Sequence, residues 1–243
     1  MKIALLGYGR MGKTIEKIAT ERGHEIGYKT NTKLDEELLK QQDIAIDFSI
    51  PEAAFENITT CFKLGVPVVS GTTGWLDHLE EAHKSCLKHK SAFIYASNFS
   101  LGVNLFFELN RKLAQLLQPY PNYKASLTEV HHTKKLDQPS GTAISLAEDL
   151  IAQQDYTGWQ LTNDNQIKGG NQTKPLAITA IREENVPGTH WVNYKSEIDE
   201  ISIKHKANSR DGFALGAVVA AEWLKGKQGI FNMQDVLNLH EKK

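Results

Sequence analysis

The spacing of apolar side chains divides the chain into two textures. Up to about residue 100, short aliphatic runs alternate with longer stretches in which apolar positions recur every three or four residues. The runs at 2–6, 25–28, 43–48, 67–70 and 92–96 predict strands, and the stretches at 11–22, 34–41, 51–64 and 75–89 predict helices. Strands that alternate with helices are joined by right-handed crossovers, which gives a parallel sheet buried on both faces. A doubly wound α/β domain is therefore expected.

Beyond that point the pattern changes. A helical stretch at 101–117 runs into Pro119 and Pro121, after which alternating, β-branched segments dominate at 123–131, 176–182, 189–194 and 198–205. Only 141–153 reads as a strong helix among them, and the polar segment 155–174, with its Asn/Gln cluster at 163–172, reads as a long loop. This predicts a second, α+β domain built on an open mixed sheet. The tail, with helices expected at 213–224 and 230–239, is placed back with the first domain. The boundaries are then 1–102 plus 211–243 for one domain and 103–210 for the other.

The first strand is followed at once by Gly7-Tyr8-Gly9-Arg10-Met11-Gly12, a G-x-G-x-x-G turn that opens the first helix. The first glycine permits the tight turn, the second lets backbone approach a pyrophosphate, and the third allows helix and strand to pack closely. The helix start adds free N–H groups and a partial positive charge. In this position the motif predicts a Rossmann-like dinucleotide site. The end of the second strand reads Tyr28-Lys29-Thr30-Asn31-Thr32, without the acid that would repel a 2′-phosphate, so NADH and NADPH both remain open. Lys29 there is either a phosphate partner or a solvated surface charge. Ser70-Gly71-Thr72-Thr73-Gly74 and Ala96-Ser97-Asn98-Phe99-Ser100 follow later strands, at the sheet edge where such folds bind ligands.

Composition narrows the classes of partner. The chain has 243 residues, 28 Lys+Arg against 29 Asp+Glu and 40% hydrophobic residues, so a large core is available and no basic footprint for nucleic acid is present. Apolar runs are too short for a membrane span, and residues 1–7 do not resemble a secretory leader. The two cysteines, Cys61 and Cys86, stand alone and fit a reducing compartment, so a cytoplasmic location is expected.

The densest chemistry lies between Glu129 and Ala143, in Glu-Val-His-His-Thr-Lys-Lys-Leu-Asp-Gln-Pro-Ser-Gly-Thr-Ala. On an extended segment His131 and His132 point to opposite faces, and with no Cys or carboxylate seen at ligand spacing no metal site is expected. A Ser140, histidine and Asp137 hydrolase lacks its nucleophile elbow. Ser140-Gly141-Thr142 instead resembles a helix start able to cradle a carboxylate, with Lys135 supplying positive charge beside it. His131 is the expected acid for a substrate reduced by hydride, and Lys135 its electrostatic partner or co-donor.

This run resembles the E-x-H-H-x-x-K-x-D-x-P-S-G-T-A signature of the dihydrodipicolinate reductase family. The likeness continues through residues 71–74, Asn98-Phe99-Ser100-x-Gly102-Val103-Asn104, Gly188-x-His190-x-Val192 and His205-x-Ala207-x-x-Arg210-x-x-Phe213-Ala214. The resemblance implies NAD(P)H-dependent reduction of a cyclic imine dicarboxylate to tetrahydrodipicolinate in lysine and diaminopimelate biosynthesis. It implies His131 and Lys135 as a proton-donating pair and His132, Gly141 and Thr142 as substrate contacts. It implies cofactor loops at Gly7 to Gly12, Gly71 to Thr73 and Ala96 to Phe99, and a homotetramer formed through the second domain's sheet. Many members carry one more residue in the glycine turn and an acid near Asn31, here the expected ribose contact. Two alternatives are a nicotinamide-binding redox sensor without catalysis, motivated by the segment 155–174, and a different two-domain dehydrogenase. The latter leaves the carboxylate cradle unexplained.

Overall fold

The computed structural model describes residues 1–162, 175–209 and 211–239. It divides into two compact units, Met1–Asn104 with Asp211–Lys243, and Leu105–Arg210.

In the first unit, β1 (Lys2–Leu6), β2 (Glu25–Thr30), β3 (Ile44–Asp47), β4 (Val68–Ser70), β5 (Ala92–Tyr95) and β11 (Gly229–Phe231) form one sheet. Their order is β11-β5-β4-β3-β1-β2, and every pairing is parallel. Side-chain alternation on β1 feeds two cores. Ile3 and Leu5 pack on one face with Ile15 and Ala19 of α1 (Arg10–Glu21) and with Ala217, Val218 and Ala221 of α7 (Asp211–Leu224). Ala4 and Leu6 pack on the other with Ile58 and Phe62 of α3 (Pro51–Lys63) and with Ala82 and Cys86 of α4 (Leu79–Lys88). The doubly wound expectation is met, and the chain doubles back at β1 and β3, so their carboxyl ends open the crevice used by ligands in such folds.

Two elements differ from the sequence expectation. The stretch 230–239 is not one helix: it begins as β11 on the edge of β5 and only then forms α8 (Met233–Leu237), capped by Asn232. Burial of β5 beside an open sheet edge outweighs the helical period of a ten-residue run. The helix expected at 34–41 shortens to α2 (Glu36–Leu39), which Asp35 caps through the amides of Glu37 and Leu38. Arg22 and His24 grip Glu222 of α7 at 2.7 Å each, tying the returning tail to the end of α1.

The second unit is a mixed sheet in the order β10-β9-β6-β8-β7, again as expected. Its strands are β6 (Lys124–His132), β7 (Trp159–Leu161), β8 (Leu176–Glu183), β9 (Thr189–Lys195) and β10 (Glu200–Lys206). β6 pairs parallel with β8 and antiparallel with β9. The segment 155–174 is therefore not all loop, since Trp159–Leu161 adds a parallel edge strand; residues 163–174, with the Asn/Gln cluster, lie outside the described residues, as does Arg210. One face of the sheet packs against α5 (Leu101–Leu117) and α6 (Gly141–Gln153) through Leu127, Ile178, Val192 and Tyr194. Among the described residues no helix is long and apolar enough to cross a membrane.

Candidate functional site

The glycine turn of the first unit is built as its spacing requires. Gly7 sits at φ 93° and a Cβ there would stand 2.1 Å from the Phe48 carbonyl oxygen, so only glycine fits between β1 and β3. A Cβ on Gly12 would stand 2.4 Å from the Gly7 carbonyl oxygen, which fixes the close approach of α1 to the turn. Gly9, by contrast, faces open space and caps α1 without a side-chain bond, and the first turn holds no acidic residue. The first amides of α1 therefore stay free for an anion. Tyr8 and Arg10 flank this opening, with Met11 packing toward the core. Asn31 accepts a hydrogen bond from the Tyr8 amide and so ties the turn to the end of β2. These features fit the pyrophosphate and adenosine of a dinucleotide.

Asp47, at the carboxyl end of β3, organises the neighbouring loops. Its fully buried carboxylate accepts from Ser49 Oγ at 2.7 Å, Thr72 Oγ1 at 2.8 Å, Ser70 Oγ at 2.9 Å and Asn57 Nδ2 at 3.3 Å. Burial pushes its proton affinity up, and these four neutral donors oppose that without cancelling it. Thr72 is consumed in this network: its hydroxyl also accepts from the Ser49 amide at 2.9 Å, and its carbonyl accepts from Trp75 Nε1. Gly71 leaves room for the Phe48 ring, which a Cβ would meet at 2.3 Å, while Thr73 is exposed. In the loop after β5, Asn98 accepts from the Ser100 amide and Asn104 ties down the Asn98 carbonyl. Phe99 is core, Ser97 is exposed, and Ala96 donates its amide to the Ser70 carbonyl at 3.2 Å.

The second unit gathers its chemistry on the helix-facing side of the sheet. Residues two apart on β6 share a face, so Glu129 and His131 lie together; register adds His190 opposite Glu129 and Arg182 beside His131. Glu129 is fully buried. Its Oε1 takes both Nη atoms of Arg182 at 3.3 Å and the Ser140 amide at 3.1 Å, and its Oε2 lies 3.2 Å from His131 Nδ1 and 3.7 Å from His190 Nε2. The His131 contact is a close approach off the line of a directed hydrogen bond. Burial alone would raise the proton affinity of Glu129, but the imidazoles and the Ser140 amide outweigh it and hold the carboxyl well below the usual range. Burial lowers His190 against the pull of Glu129, favouring its neutral form. The two imidazoles meet edge to face at 5.1 Å.

Contrary to expectation, a carboxylate does stand at ligand spacing, and Glu129, Arg182 and His190 join the site although the motif spacing singles out none of them. Glu129, His131 and His190 bring ligand atoms within 4.8 Å of one another. Arg182 already supplies a resident cation to the same carboxylate, and its Nη2 also donates to the Asp137 carbonyl at 2.7 Å, which shapes the loop after β6. Lys135 pairs with Asp137 at 2.8 Å. Ser140 is fully committed: its hydroxyl caps α6 through the Ala143 amide at 3.2 Å and meets His190 Nε2 at 3.2 Å. The cradle is thereby reduced to Gly141, exposed with nothing within 4 Å of a Cβ position, and half-buried Thr142. His132 points to the opposite face from His131 and lines a cavity of about 490 Å³ with Lys134, Glu184 and Pro187.

Comparison with known proteins gives a consistent picture. The family model for the dihydrodipicolinate reductase N-terminus matches residues 1–99, and that for its C-terminus matches residues 102–237. A 4-hydroxy-tetrahydrodipicolinate reductase of Christiangramia forsetii is 57% identical over 241 residues, covering 98% of each chain. One from Neisseria gonorrhoeae is 30% identical, covering 100% of this chain and 99% of its own. Among solved structures, a dipicolinate-bound dihydrodipicolinate reductase from Paenisporosarcina sp. TG-14 shares the fold at TM-score 0.76 and 21% identity, over 97% of this chain and 98% of its own.

Proposed function

The chain belongs to the dihydrodipicolinate reductase family, and from that premise we propose that it reduces 4-hydroxy-tetrahydrodipicolinate to tetrahydrodipicolinate at the expense of NADH or NADPH. The observation that carries this reading is the carboxylate-backed His131 on β6 beside the free helix start of Gly141 and Thr142. When bound, the reduced nicotinamide supplies a hydride. The first unit holds the nucleotide: Gly7 to Gly12 receive the pyrophosphate on the free amides of α1, and Asn31 meets the adenosine ribose. The backbones of Gly71, Thr72 and Thr73, with Ala96 to Phe99, line the nicotinamide end.

In the second unit the amides of Gly141 and Thr142 hold a substrate carboxylate, and Lys135 exchanges its exposed partner Asp137 for that carboxylate when substrate binds. His131 holds a proton for the carbon or nitrogen that becomes electron-rich during reduction, and the Glu129 carboxylate 3.2 Å from its Nδ1 backs the ring. His132, the last residue of β6, contacts substrate past the end of the strand. The active form is a cytoplasmic homotetramer in which the helix-free face of the second sheet is covered by other copies; that face carries Ser126, Thr128, Thr179, Trp191 and Asn193. Lysine and diaminopimelate biosynthesis is the pathway served.

A coupled assay tests the reading. NAD(P)H should be consumed when the condensation product of pyruvate and aspartate semialdehyde is supplied, and not with either precursor alone. Tight nucleotide binding without turnover would instead favour the sensor alternative.

A further inference from the structure

The end of β2 holds a charge arrangement that dinucleotide binding alone leaves unused. Lys29 Nζ lies 3.0 Å from Glu16 Oε1 and 4.4 Å from the centroid of the Tyr8 ring. The Tyr8 hydroxyl donates to the other oxygen of Glu16. These contacts are reciprocal: the Tyr8 hydroxyl and then Lys29 hold the Glu16 carboxyl below its usual range, and Glu16 holds the Lys29 ammonium above its own. Tyr8 is also the second residue of the glycine turn, and its amide is bonded to Asn31. One helix carboxylate is thus linked, through a ring and an ammonium, to the place where dinucleotide folds read the adenosine ribose.

Resting on the dinucleotide reading above, we propose that Glu16 is a specificity-determining residue that disfavours a 2′-phosphate by acting as the internal counter-ion of Lys29. A phosphate monoester carries roughly −1.5 to −2 charges at neutral pH and needs an uncompensated cation. The cation that β2 brings is already neutralised by a carboxylate 3.0 Å away, so the wild-type site meets a 2′-phosphate with no net attraction from this pair. A free ribose hydroxyl carries no charge and is indifferent to it. The preference is thereby set from the first helix, in a chain whose second strand is followed by the neutral Asn31.

The test is equilibrium binding of NADH and NADPH to the full chain, followed by nucleotide fluorescence, with 2′,5′-ADP and 5′-AMP as competitors. Wild type should bind NADH at least as tightly as NADPH. Glu16→Gln should shift the NADPH-to-NADH affinity ratio roughly tenfold toward NADPH, an effect that shrinks as salt is raised. Adding Lys29→Ala should abolish the gain, and Lys29→Ala alone should weaken NADPH more than NADH. A ratio within twofold of wild type in Glu16→Gln overturns this inference while leaving the dinucleotide site intact. Failure of the wild type to bind either nucleotide overturns both.

Discussion

Among the described residues each unit of the molecule buries one carboxylate on a central strand, and the two are treated oppositely. Asp47 in the first unit is met by three hydroxyls and one amide, with no cation among those donors. Glu129 in the second is met by a guanidinium, two imidazoles and an amide. Burial dominates at Asp47 and raises its proton affinity, whereas charge and hydrogen bonding dominate at Glu129 and lower it. The first arrangement braces loops against a sheet edge without placing a charge pair beside a cofactor. The second keeps a permanent negative charge beside a histidine. The same side-chain chemistry meets only neutral donors in one unit and a guanidinium and two imidazoles in the other.

The contrast is broken most severely at Arg182. Arg182→Ala leaves Glu129 buried without its cation and should cost about 3–5 kcal/mol in urea unfolding, because an uncompensated buried charge remains. Asp47→Asn keeps a hydrogen-bonding group of the same shape among rotatable hydroxyls and should cost about 1–2 kcal/mol. An equal loss for the two variants would dissolve the distinction between the carboxylates.

A packing change in the first unit gives an intermediate effect. A Cβ at Gly216 would stand 1.7 Å from the Phe99 carbonyl oxygen, so Gly216→Ala must displace α7 from the loop after β5. We expect about 1–3 kcal/mol of destabilisation. Nucleotide binding should weaken with it, as read by a thermal shift with and without NADH.

Acidification separates the units by sign. Glu129 has a depressed folded pKa, so its contribution is full above the unfolded value of about 4.3 and is lost as pH falls below it. His190 is also depressed, so its contribution is full above about 6.5 and fades as pH falls from there. Asp47 has a raised folded pKa, so its effect on stability is most favourable below about 3.9 and is lost as pH rises through the folded value. Amide exchange corrected for intrinsic rates should show protection in β6 and β9 falling between pH 7 and 4 while that in β3 and β4 holds. Uniform loss would contradict the assignment. The smallest effect on stability belongs to Lys135→Ala, whose partner Asp137 is exposed: under about 1 kcal/mol, with KM raised and kcat lowered together. Unchanged kinetics would remove Lys135 from the substrate site.

The sequence made the nucleotide unit legible because its signals are local: a strand, a glycine turn and a helix follow one another within twenty-one residues. On β6 the two-residue period already places Glu129 and His131 on one face. His190 and Arg182 reach that face only through register between strands 61 and 51 residues apart, which no local pattern specifies. The three-residue strands β7 and β11 were hidden for a related reason, since each exists only by pairing with a neighbour across an open edge.

In the proposed reaction His131, with Glu129 Oε2 3.2 Å from its Nδ1, holds the proton used in reduction. Steady-state turnover of His131→Gln, measured beside NADH affinity by fluorescence titration, tests it most directly. We expect kcat lower by roughly 10² to 10⁴-fold with NADH binding unchanged. Near-normal turnover, or a loss of turnover that simply tracks lost nucleotide binding, would contradict it.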